Sequence, residues 1–201
     1  MKKIILILCF IGLIANAQTK SFGMKAGMNL ASLRLSINDL SDSSDSRFGA
    51  NFGFFAEFPV SKKITIQPEI LYTMTGGSVT DEGQRGSFGL NYIAFPIMVK
   101  YYTTPKFSME FGPQFAFLAE STFNLGNITV NANELFNNFD LGFGIGVNYE
   151  ASNKVFLNFR YTLGLFNIAS AEYQRAVIEE VNASSFTMKN NVIQFGIGYR
   201  F

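Results

Sequence analysis

The sequence contains no histidine, no tryptophan and only one cysteine among its 201 residues. A Ser–His–Asp triad cannot be built without histidine, so hydrolases that depend on this base are excluded. The one cysteine, Cys9, lies in the amino-terminal apolar run, and the rest of the chain offers neither a thiol nucleophile nor a disulfide. We therefore expect a protein that is not an enzyme, with no catalytic residue, cofactor or metal site.

Long apolar runs are also missing beyond residue 17, where no segment approaches the roughly 18 residues of a membrane-spanning helix. The first residues have a different pattern. A basic start (MKK) precedes an apolar run (IILILCFIGLI) and a small-x-small triplet (ANA) before Gln18. This pattern predicts a signal peptide at residues 1–17, followed by one domain at residues 18–201.

No strong excess of one charge sign is present, with 16 basic and 15 acidic residues. Removal of Lys2 and Lys3 with the signal peptide would leave 14 basic residues. No basic stripe follows the chain, so we expect no nucleic-acid partner.

Phenylalanine is abundant, with 23 residues, and apolar residues alternate with polar residues or glycine. In FDLGFGIGVNYE at 139–150, the aromatic and aliphatic residues share one face, and the glycines lie on the other. This period of two is typical of a β-strand. The pattern predicts eight strands, near residues 22–31, 47–58, 64–75, 90–102, 107–120, 137–149, 155–167 and 188–201.

The connections between these strands alternate in length. Short turns (PVSKK, TTPK and ASNK) follow the second, fourth and sixth strands. Long polar segments, expected to be loops, follow the others at 32–46, 76–89, 121–136 and 168–187. Strands of about 10 to 14 residues suit a tilted crossing of a bilayer. The predicted fold is all-β, an eight-stranded antiparallel up-and-down transmembrane β-barrel with short periplasmic turns and long extracellular loops.

The two faces of the predicted strands differ in volume and charge. One face carries bulky apolar residues such as Phe54, Phe95 and Phe111. The interior of an eight-stranded barrel is just wide enough for side chains, so these rings cannot all lie inside. In water they would form a very large exposed apolar belt, whereas a bilayer solvates them. The alternative is a soluble lipocalin-like barrel with the phenylalanines turned inward.

The opposite face carries a charged cluster expected in the lumen: Lys25, Glu57, Glu69, Lys100, Glu110, Asp140, Arg160 and Arg200. The TTPK turn predicts that Lys100 lies opposite Glu110 as an ion pair. Lys25 and Arg200, on the first and last strands, need acidic partners from elsewhere, for which Glu57 and Glu69 are the candidates. The cluster is interpreted either as the lining of a channel or as a polar plug, and the narrow lumen favours the plug.

Three further patterns carry predictions. An aromatic girdle is expected from Tyr101, Tyr149 and Tyr199, which share the outward phase near periplasmic strand ends. The segment AEYQRAVIEEV at 171–181 has the spacing of one short helix over the barrel mouth, or of a loop that docks a partner. Proline at three strand positions, Pro68, Pro96 and Pro113, predicts bulges or local breaks in the sheet.

Seven segments follow one another along the chain: GMKAGMNLA, IQPEILYTMTG, IAFPIMVKYY, FGPQFAFL, NNFDLGFGIGVNYE, RYTLGLFNI and FGIGYRF. This ordered set resembles the PorT-like outer-membrane β-barrel family of Bacteroidota. It implies an eight-stranded outer-membrane barrel and leaves the activity open, because the family's founding member is tied to a protein secretion and gliding machinery while most relatives are uncharacterised.

The last eight residues, QFGIGYRF, resemble the carboxy-terminal signal read by the outer-membrane barrel assembly machinery. The positions that match are Gln194, Gly196, Tyr199 and Phe201. The resemblance implies that the outer-membrane lipid bilayer and this machinery are partners of the chain. The long loops offer a further surface for a protein partner.

Three hypotheses of function follow. The first is a non-enzymatic outer-membrane barrel that acts through its extracellular loops or as a structural or assembly component. The second is a small-solute channel similar to a porin. The third is the soluble lipocalin-like binder. The first two place the chain in the bacterial outer membrane after export.

Overall fold

The computed structural model describes residues 21–38, 40–81, 84–126 and 128–201, without the side chains of 79–81, 84 and 85. The expected signal peptide and Cys9 lie outside these residues. Within them there are ten strands, β1 (Ser21–Ile37), β2 (Leu40–Ser43), β3 (Asp45–Pro59), β4 (Ile64–Asp81), β5 (Gln84–Thr104), β6 (Phe107–Leu125), β7 (Ile128–Asn131), β8 (Phe139–Glu150), β9 (Val155–Gly164) and β10 (Phe186–Arg200). One α-helix, α1 (Ala171–Glu180), and a 3-10 turn at Asn133–Leu135 complete the elements.

The strands form one antiparallel up-and-down sheet of barrel-like form. Its order is β10-β9-β8-β6-β5-β4-β3-β1-β2, and β7 pairs with β6. β1 pairs on one side with β3 and on the other with β10, from Gly23 opposite Arg200 to Ile37 opposite Phe186. We call the contact between β1 and β10 the seam. The first and last long strands are therefore hydrogen-bonded to each other.

The described part of the structure has ten strands where the sequence predicts eight, and the segments expected to be loops are partly strand. The two additional strands, β2 and β7, lie in the segments 32–46 and 121–136. β4 and β5 remain paired as far as Asp81 opposite Gln84, so most of the segment 76–89 is strand. These extensions are rich in polar residues and glycine, and β2 and β7 have only four residues each. The apolar–polar alternation that reveals a strand is therefore weak or too short there, although the backbone pairing continues.

The sheet has two different ends. Three short turns, 60–63, 105–106 and 151–154, lie together at one end, which we call the turn end. The other, the loop end, carries β2, β7 and α1. The predicted helix is confirmed as α1, where Ser170 caps the first turn by accepting a hydrogen bond from the Tyr173 N–H at 3.2 Å. No helix among the described residues is long and apolar enough to cross a membrane.

The two faces of the sheet are occupied as the sequence predicts. The bulky apolar residues lie on the outer face, where for example Phe54 and Phe111 are exposed over about half of their surface, at 58% and 45%. The charged residues lie on the inner face. The lipocalin-like alternative, which needs the phenylalanines inside, is therefore wrong for this fold.

The three strand prolines are accommodated by gaps in pairing. Pro68, Pro96 and Pro113 each lie in a two-residue gap in one ladder, and the register is the same on both sides of each gap. Each proline is paired with the strand on its other side. A proline lacks one N–H donor, so only one ladder is interrupted. The local breaks are confirmed at all three positions, whereas the expected bulges are absent there.

Candidate functional site

The middle of the interior holds four buried charges around Arg160, which we call the central cluster (Lys25, Glu69, Glu110 and Arg160). The Arg160 guanidinium is fully buried, and it donates to Glu69 Oε1 at 2.6 Å and to Glu110 Oε1 at 2.6 Å. Lys25 Nζ lies 3.6 Å from Glu69 Oε2. These side chains come from β1, β4, β6 and β9, so the cluster links four strands of which no two are neighbours in the sheet.

Neutral amides complete the hydrogen bonding of both carboxylates. Asn148 and Asn158 donate to Glu110 at 2.9 and 3.0 Å, and Gln67 donates to Glu69 at 2.6 Å. Buried charges are tolerated only when they are paired and their remaining oxygens are satisfied. The central cluster meets both conditions for its carboxylates, and its two cations balance its two anions.

A second group of charges, the turn-end cluster, consists of Glu57, Lys100, Glu150 and Arg200. Lys100 Nζ lies 3.0 Å from Glu57 Oε1. The Arg200 guanidinium bridges both carboxylates, with Nε 2.6 Å from Glu57 Oε2 and Nη1 2.6 Å from Glu150 Oε2. This cluster therefore binds the last strand, β10, to β3 and β8 across the turn end.

Two phenylalanine rings fill the space beside the turn-end cluster. Phe55 and Phe156 are buried and meet edge to face with ring centroids 5.3 Å apart. Lys100 Nζ and the Arg200 guanidinium carbon lie 4.2 and 4.7 Å from the centroid of the Phe156 ring. Both distances suit cation–π contacts, so the rings and charges form one packed unit.

Glycine is required beside these rings. A Cβ atom at Gly198 would collide with the Phe156 ring, whereas one at Gly144 would lie 3.2 Å from Met98 Cε and 3.4 Å from Arg160 Cδ, which needs shifts of only a few tenths of an ångström. We predict that Gly198→Ala lowers the free energy of unfolding by about 1–3 kcal/mol through overpacking. Urea unfolding in detergent, followed by far-ultraviolet circular dichroism, measures the change. Gly144→Ala is the control, and equal loss in both variants would contradict the assignment.

The strand register predicted for Lys100 and Glu110 is correct, but the ion pair predicted between them is wrong. The two residues lie directly opposite each other on β5 and β6. Lys100 instead pairs with Glu57 and Glu110 with Arg160, because the barrel-like curvature brings side chains from distant strands closer than neighbours along the ladder. Asp140 is buried at the start of β8, and no ion pair joins it to the other described residues of the expected cluster.

Sequence reasoning missed several interior residues. Glu150, a partner of Arg200, was not included in the expected cluster. An apolar core also fills the interior toward the loop end, and α1 packs against this core through Tyr173 and Val177. The core consists of Leu33, Leu71, Leu90, Tyr92, Ala94, Ala116, Ala132, Phe136, Ile168, Ala169, Phe186 and Met188. The alternation of the sequence indicates part of this core, because Leu71 shares the inward phase of Gln67 and Glu69 on β4.

The girdle and carboxy-terminal residues occupy the turn end and the seam. Tyr101, Tyr149 and Tyr199 are all directed outward near the short turns, with 41–44% of their surface exposed. Gln194 and Gly196 face inward on β10. The Phe201 N–H donates to the Phe22 carbonyl at 2.9 Å, which holds the last residue against β1.

An apolar outer belt, a charged interior and an up-and-down antiparallel sheet are typical of outer-membrane β-barrels. Residues 16–170 match the model of the outer membrane protein beta-barrel domain. The chain belongs to this family. It is accordingly an outer-membrane β-barrel protein of the bacterial outer membrane, with its barrel-like sheet embedded in the lipid bilayer. A search of curated proteins found no match to this chain.

Solved outer-membrane barrels have the same fold. Neisserial surface protein A is 14% identical, with a TM-score of 0.56, over 92% of this chain and 100% of that chain. Ail, the attachment invasion locus protein of Yersinia pestis, is 11% identical, with a TM-score of 0.51 and the same coverage. At these identities the similarity shows the fold alone. Among the described residues, no group of acidic side chains or cysteines is arranged to hold a metal ion.

Proposed function

We propose that residues 18–201 form a closed eight-stranded barrel, exported by a signal peptide at 1–17, with the turn end in the periplasm. Each of the eight long strands pairs with two other long strands, and the seam joins the first to the last. β2 and β7 extend hairpins at the loop end and are not counted among the strands of the barrel wall. The ordered segments from GMKAGMNLA to FGIGYRF support the narrower placement among PorT-like barrels of Bacteroidota.

Its function, in this proposal, is that of a non-enzymatic interaction or assembly component that acts through the extracellular loop end. The observation that carries this is the filled interior. The turn-end cluster, the central cluster and the apolar core succeed one another from the turn end to α1. Fully buried side chains such as Arg160 and Tyr92 occupy the small lumen, which argues against the channel.

The loop end presents a surface suited to a protein partner. β2 and β7 extend hairpins whose apolar side chains are exposed, with Leu40 at 80% and Ile128 at 65%. α1 covers the apolar core and presents Glu172, Glu179 and Glu180 on the same end. Exposed apolar residues rimmed by polar ones are typical of contact sites.

Conductance tests the choice between component and channel. The purified protein in a planar bilayer is expected to show no steady unitary conductance, because the interior is filled along its length. A reproducible, steady conductance from correctly folded protein would contradict the proposal and favour the porin-like alternative. A known porin at the same protein concentration is the positive control for insertion.

Partner capture tests the loop end. Cross-linking on whole cells followed by purification is expected to recover a protein partner with the wild type and much less with Leu40→Ser/Ile128→Ser. The matched control is Val60→Ser, which removes an equally exposed apolar side chain (63%) at the turn end. Loss of the partner with Val60→Ser alone would place the contact in the periplasm instead.

A further inference from the structure

An apolar groove lies on the outer face across the seam. It has a volume of about 320 Å³, and its floor is formed around Ala26 on β1. Ala26 lies between Ile197 on β10 and Phe52 on β3, because the register pairs it with both. The small Ala26 side chain leaves the space that its larger neighbours enclose. Met24, Phe54, Val155 and Tyr199 complete the walls toward the turn end.

Lysine side chains flank this groove at the turn end. Lys62 and Lys63 lie in the turn that follows β3, and Lys154 lies in the turn that precedes β9. The two turns are separated by three strand spacings, or about 14 Å. Lys154 Nζ lies 5.7 Å from the centroid of the Tyr199 ring, which is itself a groove wall. All three lysines are exposed.

The side-chain charge of the three short turns is one-sided. The three short turns, 60–63, 105–106 and 151–154, contain four lysines and no acidic residue. The nearby carboxylates, Glu57 and Glu150, are occupied by Arg200. The free lysines are therefore available to an anion at the edge of the membrane.

We propose that the groove and its flanking lysines bind an anionic phospholipid of the periplasmic leaflet. One acyl chain lies in the groove over Ala26, and the phosphate lies between the lysine turns beside Tyr199. This inference rests on the proposed orientation, with the turn end in the periplasm. It adds to that function a specific lipid contact at the seam where the barrel closes.

The two parts of the site have different roles. An acyl chain is surrounded by apolar material everywhere in the bilayer, so the groove contributes shape and van der Waals contact without a hydrophobic driving force. Selection of the headgroup comes from the lysines, since each lysine near an anionic surface is worth roughly a five-fold gain in binding. Lysine variants should therefore change which lipid is bound, and groove variants should change how well any lipid is held.

Native mass spectrometry of the detergent-purified protein with equal amounts of phosphatidylglycerol and phosphatidylethanolamine tests the site. We expect at least a five-fold excess of retained phosphatidylglycerol. Lys154→Ala and Lys62→Ala/Lys63→Ala should each reduce that preference several-fold, whereas Lys106→Ala, in the turn away from the groove, should not. Ala26→Phe should reduce retention of both lipids, and Ile145→Phe, an enlargement on the outer face of β8, should not.

The outcomes separate this inference from the proposed function. Equal retention of the two lipids by folded wild type, or equal effects of Lys106→Ala and Lys154→Ala, would overturn the lipid site alone. Each variant is first checked for the heat-modifiable gel mobility of a folded barrel. Wild type that never shows this mobility and never enters bilayers would instead overturn the closed membrane barrel. The lysine variants alter exposed side chains only, so they keep the test valid if Ala26→Phe fails to fold.

Discussion

Replacing Arg160 with methionine is expected to lower the free energy of unfolding by about 3–5 kcal/mol, because it leaves buried carboxylates without their cation. Arg160 is the only residue of the central cluster that contacts both Glu69 and Glu110 in the described structure. Most of the variant should therefore lose the folded gel mobility in moderate urea. Circular dichroism or gel mobility measures the transition, since the sequence has no tryptophan to report it.

The charge balance of the central cluster also predicts the effect of a second substitution. With Arg160→Met the central cluster has one cation, Lys25, and two anions. Adding Glu110→Gln restores neutrality as a Lys25–Glu69 pair, and most of the lost stability should return. Arg175→Met, on the exposed face of α1, is the control and should change stability little. If the double variant is less stable than Arg160→Met alone, packing and not charge accounts for the loss.

Deleting Tyr199–Phe201 is expected to reduce membrane-inserted protein about ten-fold or more, since unpaired backbone groups in lipid each cost several kcal/mol. The deletion removes the pairs of Gly23 with Arg200 and Met24 with Tyr199 at the seam. It also removes the Arg200 guanidinium from Glu57 and Glu150. Fractionation of outer membranes with heat-modifiable mobility measures the loss.

Single substitutions separate closure of the barrel from recognition by the assembly machinery. Phe201→Ala keeps β10 and Arg200, so it should fold into detergent in vitro and yet assemble poorly in cells. Arg200→Met should show the opposite pattern, with the larger defect in vitro. Normal insertion of the deletion variant in cells would contradict both the seam and the signal interpretation.

The alternation of the sequence predicts which face of each long strand is apolar, and the structure agrees because side chains on a strand have a strict period of two. Phe54 outward and Glu57 inward follow from their positions alone. Local pairing was also accessible, as the position of Lys100 opposite Glu110 shows. A short turn sets the register of the strands that it joins.

Partners across the interior were accessible only in part. Glu57 and Glu69 were expected as partners of Lys25 and Arg200, and the structure pairs Lys25 with Glu69 and Arg200 with Glu57. Lys100 bonds Glu57, and Arg200 bonds Glu150, over sequence separations that no local pattern encodes. Asp140 shares the inward phase of the cluster and remains apart from its ion pairs. The inward apolar residues were missed for two reasons: Leu71 lies on a strand face that was expected to be polar, and Phe186 lies in a segment that was expected to be a loop.

The sequence by itself determined the strand period, the two faces, the short turns and the helix α1, since each depends on contacts between residues close in the chain. The tertiary structure decided the ion partners, the apolar core under α1, the niche that Gly198 provides for Phe156 and the lysine-flanked groove over Ala26. Each of these depends on which strands curve toward one another. That arrangement becomes defined only when the first and last strands meet at the seam.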